Sequence, residues 1–294
     1  MDLFGAALGL GLVVCWIATL RAFPRGWGVS RGRLALSGVL LVVLLSCAGA
    51  FFGRGVAIAA SVGALAVIEP VLLVRARRAR QIHHAVEALR DPEARDRNLA
   101  LLAELVGEPP SDFRYLNWSR IVAFVAAGAS RAELADEALR WIERIDRARV
   151  DRVGVASRAQ IMAAAHIALG QRQRAREVIA EVPRPVPGPL WERALTALET
   201  LLAALEGSPD PERAEAMARA GLEAEPDPML RQTWYAAHAH ALAALGRRDD
   251  ARAALVRLRE LAPKERPLER VVRHRGPASP IAEALLAESG MPYR

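Results

Sequence analysis

Cysteine is almost missing from this sequence. Cys15 and Cys47 are the only two, which excludes a disulfide framework and any cysteine-rich metal site. Lysine is scarcer still: Lys264 stands alone, and arginine carries the rest of the positive charge. Aromatic residues make up only 5%. After residue 80 there is no sustained alternation and few β-branched runs, so strands are not expected. Motifs for chemistry are missing too: no G-x-S-x-G, no Walker-type phosphate loop, no H-E-x-x-H. These absences argue against an enzyme and predict no cofactor, no metal, no catalytic residue and no small-molecule substrate.

The histidines do not change that reading. His83 and His84 are adjacent, and His238 and His240 are two apart, so on a helix neither pair converges on one point. His166 falls on an apolar helix face and reads as a packed or capped side chain.

A net charge of +7 suggests nucleic acid at first sight. Its distribution excludes that partner. Residues 1–80 hold nine arginines against Asp2 and Glu69, and residues 81–294 hold 31 basic and 31 acidic groups. A surface for phosphate backbones would carry the excess on the later part.

That N-terminal part contains three apolar runs, 3–20, 34–52 and 55–74. Each is about as long as a helix crossing a hydrocarbon core of ~30 Å. The glycines of Gly53-Arg54-Gly55 permit a tight turn between the last two. The first run has no basic residue before it, unlike a cleaved leader. Arginines cluster at 21–33 and 75–80, and the positive-inside rule puts both clusters in the cytoplasm. The expectation is a multi-pass protein of the inner or plasma membrane, with its N-terminus out, its C-terminal part cytoplasmic and the lipid bilayer as one partner. In that topology Cys15 and Cys47 lie near opposite surfaces and cannot pair. Glu69 is the one intramembrane polar candidate, close enough to the inner surface to reach the arginines there.

The remainder predicts helices throughout. Residues 81–112 read as a helical linker. Beyond it one pattern recurs. "GRRDDARAALVRLRELAP" has Gly246, Ala251 five residues on and Pro263 twelve further. Gly170, Ala175 and Pro187 keep that spacing, and Ala214 and Pro226 keep the twelve after Gly207. A weaker copy puts Ala138 in the alanine slot with Ile142 and Ile145 on the same face. The alanines at 138, 175, 214 and 251 are 37, 39 and 37 residues apart. Small alanines let paired helices approach closely, glycine permits the turn, and proline stops the second helix.

These residues resemble the tetratricopeptide repeat family, a stack of helix–turn–helix units. The likeness rests on Leu169-Gly170, Ala175, Ile179, Val182 and Pro187, on Ala214 and Pro226, and on Leu245-Gly246, Ala251, Leu255, Leu258 and Pro263. Ala163 and Ala239 fit the small slot of the first helices, and Tyr235 fits the tyrosine slot, whereas Ala159 departs from it. Each unit here is at least three residues longer than the family's 34. The likeness covers about residues 113–265. With the apolar runs included, the whole chain resembles membrane-anchored bacterial repeat proteins of this kind.

The resemblance implies an all-α fold: three transmembrane helices followed by a solenoid of about four helix pairs. Residues 266–294 are then a tail, loosely connected through 266–275, with a closing helix at 279–289. The resemblance also implies that the first helices line a groove for another protein or peptide. Its contact residues would be Ser157, Gln160, Ala164, Thr233, Ala236 and His240. The expected function is a membrane-anchored scaffold for protein–protein interaction. The alternative is an accessory or regulatory subunit of a membrane transport or envelope-assembly complex.

Overall fold

Helix follows helix from residue 74 onwards. The computed structural model describes residues 74–207, 210–263 and 266–289, and among these every regular element is helical. The chain divides into two units at Gly107.

The expectation of a multi-pass membrane protein is corrected here. Among the described residues no helix is long and apolar enough to cross a membrane. The longest of those with printed bounds have 17 residues, short of the ~20 apolar residues a span needs. They also carry charge, such as Arg120 in Tyr115–Arg131 and Glu192 in Pro189–Leu205. The runs at 3–20 and 34–52, and all of 55–74 but Val74, lie outside the described residues, and so do Glu69, Cys15 and Cys47.

In the first unit, α1 (74–87) runs into a short 3-10 turn, Ala88–Arg90, and α2 is Arg95–Val106. Ile82, Leu89 and Leu102 are fully buried. The Arg78 guanidinium donates to the Leu105 carbonyl, 2.8 Å from Nε.

The second unit is built of hairpins. They are α3 (Tyr115–Arg131) with α4 (Ala135–Glu143), α5 (Arg152–Ala168) with α6 (Arg172–Ala180), α7 (Pro189–Leu205) with α8 (Pro211–Ala224), and α9 (Pro228–Ala244) with α10 (Arg248–Leu261). The first helices α3, α5, α7 and α9 pack side by side in chain order. Each second helix lies against its own first helix and the next. This repeat-like stacking follows from the sequence. Ala138, Ala175 and Ala251 are fully buried and Ala214 nearly so, as are Ala163 and Ala239 opposite.

The turns show why the spacing recurs. In α5–α6, Gly170 takes φ 73°, its N–H donates to the Ile167 carbonyl, and the Gln171 N–H donates to the His166 carbonyl at 2.8 Å. In α9–α10, Gly246 takes φ 75° with the matching bonds from Gly246 to Ala243 and from Arg247 to Leu242. Both are left-handed helix ends that satisfy orphan carbonyls. The α3–α4 turn has the same two bonds, but Glu133 stands in the glycine slot at φ 67°. The weakest copy in the sequence is therefore a full copy in space.

The prolines act at helix starts more than at stops. Pro189, Pro211, Pro228 and Pro267 each sit in the first turn of a helix, where the missing N–H costs nothing. Two are preceded by aspartate caps: Asp210 accepts from the Arg213 N–H at 2.9 Å and Asp227 from the Met229 N–H at 2.8 Å.

The arginine-rich stretch 266–275 holds a helix, α11 (Pro267–Arg273), with Leu268, Val271 and Val272 buried. Its apolar residues outweigh the loop character suggested by its arginines. α12 (Ser279–Glu288) covers α10 and α11 with Ala282, Leu285 and Leu286.

Hairpins meet tightly at Gly221 of α8. A Cβ there would lie 2.5 Å from the Trp234 ring of α9. Gly221→Ala gains up to ~1 kcal/mol of helix propensity, yet overpacking costs about 1–3 kcal/mol. The expected result is a lower thermal midpoint, measured by circular dichroism; a higher one would show that the two helices can move apart freely.

Candidate functional site

The first helices and α11 enclose a groove with a cavity of about 540 Å³. Its floor is apolar: Ile161 and Ala164 from α5, Leu198 and Leu201 from α7, and Ala236 from α9; the exposed Met229 of α9 also lines it. The lining also carries both signs: Glu133, Asp136 and Arg140 from the α3–α4 turn and α4, and Arg270 and Arg273 from α11. Apolar residues on the first helices arise from the 3.6-residue period of helices that face neighbours on both sides.

Of the six residues expected from the sequence, Gln160, Ala164, Thr233 and Ala236 line this cavity. Ser157 lies on the same helix, outside the lining. His240 is fully buried and engaged with the C-terminal segment.

That segment passes along the turn ends of the first helices. Arg273 Nη2 pairs with Glu133 Oε2 at 2.5 Å, joining residues 140 apart in sequence. Burial raises the Glu133 carboxyl above its ordinary value, and the nearby Arg273 cation opposes that rise. Arg172, at the start of α6, reaches three carbonyls: Leu205 at 2.9 Å, Arg275 at 2.9 Å and His274 at 3.2 Å. Gly276 sits so close to α7 and α9 that a Cβ would lie 2.5 Å from Leu205 and 2.7 Å from His240.

Comparison with known proteins adds no relative. No family model, curated protein or solved structure matches the chain.

The histidine pair has one consistent proton arrangement. The Ala278 N–H donates to His240 Nδ1 at 3.1 Å, so that nitrogen carries no proton. His240 Nε2 then holds the proton and donates to His274 Nδ1, 3.4 Å away. Both rings are therefore neutral. Burial pushes the His274 imidazole down to about 3, reinforced by Arg270 and Arg172. Burial also holds His240 well below its ordinary value, reinforced by His274 and Arg172.

His166, by contrast, is a buried side chain whose Nδ1 lies 2.8 Å from Gln171 Oε1 across the α5–α6 turn. Among the described residues no group of three or more His, Cys, Asp or Glu could hold a metal ion. Sequence reading missed Glu133, Arg273 and His274. The first was detectable as the residue five before Ala138, where the α5–α6 and α9–α10 turns have glycine. The other two were not, since only the return of the chain brings them to the groove.

Proposed function

We propose that this protein is a tetratricopeptide-like scaffold that holds a segment of another protein in the groove between its first helices. The observation that carries the reading is the apolar floor contributed jointly by α5, α7 and α9, in a cavity whose lining also holds residues of both charges. Four stacked hairpins, two of them with glycine, alanine and proline at matching positions, support the family resemblance. Small floor residues such as Ala164 leave room for a partner's side chains, which suits an apolar helix or an extended segment.

The test is a photo-crosslinking amino acid at Thr233, which lines the groove and is half-buried. It is expected to capture a defined partner segment. Adding Ala164→Arg, which puts a charge on the floor, is expected to weaken that capture at least ~10-fold, since a buried unpaired charge costs several kcal/mol. Unchanged capture by a variant with normal helicity overturns the proposal.

A further inference from the structure

One wall of the groove is the chain's own C-terminal segment. α11 contributes Arg270, Val271 and Arg273 to the lining, and His274 follows. The means by which it is held are unusual for a plain cap. Among the described residues, three non-glycine positions have left-handed backbone: Arg266 at φ 46°, Arg275 at φ 49° and Glu133 at φ 67°. The first enters α11, the second leaves it, and the third is the residue that α11 grips through Arg273. Strained backbone of this kind persists only where surrounding contacts enforce it, and it gathers at switch regions.

The central contact is conditional on charge. His240 and His274 are 0% and 4% exposed, and their hydrogen bonds fit only two neutral rings. A proton added to His274 Nδ1 would face the His240 Nε2–H. A proton added to His240 Nδ1 would face the Ala278 N–H. The neighbouring charges make matters worse. α6 contributes Arg172 and α11 contributes Arg270, both cations. The 274–278 connection faces the pair with Gly276 and Ala278, and Leu205 of α7 packs against the same Gly276. α11 also carries the Arg273–Glu133 and Arg266–Glu269 ion pairs. Among the described residues, the hydrogen bonds to these rings come from the Ala278 N–H and from the other imidazole, and none from a carboxylate.

We propose that residues 266–278 form a clasp that narrows the groove while His240 and His274 are neutral, and that lets go when the pair is protonated. The inference rests on the groove being where the partner is held; the clasp then regulates access to it. The sign follows from linkage. A histidine whose folded form resists protonation contributes docking stability that is complete above the free value near 6.5 and declines as pH falls below it. Mild acid therefore opens the clasp. α12 keeps its own anchors on α10, so the release is local and α3–α10 stay folded.

Hydrogen exchange of the full chain tests this, with each amide normalised to its intrinsic rate at the same pH. Between about pH 7.5 and about pH 5, amides in 267–278 are expected to lose protection by about thirtyfold for each ring that resists protonation, while α5 and α7 keep theirs. His274→Asn retains an acceptor where Nδ1 lies but cannot take up the proton. It is expected to leave 267–278 protected at the higher pH and to reduce the acid response. The proposal is overturned if 267–278 shows no selective loss in wild type, if α7 loses protection equally, or if His274→Asn responds in full. Should His274→Asn not hold the clasp at neutral pH, the wild-type comparison decides alone. Failure of the groove reading would show separately, as Thr233 crosslinking that Ala164→Arg does not reduce at either pH.

Discussion

Arg193→Met is expected to destabilise the hairpin domain by about 3–5 kcal/mol, the usual cost of orphaning a buried charge. Arg193 on α7 holds Glu225 at 2.9 Å, and the Glu225 side chain is only 1% exposed. The other Glu225 oxygen accepts the Asp227 N–H at 3.0 Å. This carboxylate therefore ties together the end of α8, the cap of α9 and the face of α7. Methionine fills similar volume but leaves the carboxylate without its cation. Urea titration followed by circular dichroism gives the change directly. The double variant Arg193→Met/Glu225→Gln is expected to recover much of the loss, because the amide needs no counter-charge and can still accept from Asp227. If the single variant falls within ~0.5 kcal/mol of wild type, as surface substitutions do, the pair does not join the hairpins.

Arg172→Met comes second. Three carbonyls lose a charged donor, at about 1.5–3 kcal/mol for each bond that no water replaces. Arg172 is itself half-buried, and solvent replaces part of the loss, so a net of about 2–4 kcal/mol is expected. Two of those carbonyls, His274 and Arg275, belong to the clasp. The damage should therefore appear locally. Amides of 267–278 are expected to exchange faster at neutral pH, with the cores of α5 and α7 little changed. A uniform loss across all helices would place Arg172 in the general stability of the stack and not in the docking of α11.

The repeating part of the fold was legible because its cause is local. A glycine that must take positive φ, an alanine where two helices cross, and an apolar stripe at helical period all leave marks at fixed spacing. Gly170, Gly246 and the four buried alanines are such marks. Glu133 could be placed in its turn from its position five before Ala138, but its partner Arg273 lies 140 residues later and left no local mark. The stretch 266–275 misled for a related reason. Its arginines suggest solvent, but Arg270 and Arg273 project towards the groove while Leu268, Val271 and Val272 enter the core. The expectation of a multi-pass membrane protein went beyond what the described helices support, since they are short and amphipathic.

By itself the sequence determined that the chain after residue 80 is helical, that its helices pair, and where their turns and close approaches fall. These depend on backbone preference and on burial within neighbouring turns. Only the tertiary structure decided what becomes of the groove. The floor residues come from three different hairpins, and the wall comes from a helix that returns to the first turn. Whether His240 faces a partner or a second histidine depends on that return. Contacts between residues so far apart in sequence have no period, and nothing short of the folded chain brings them together.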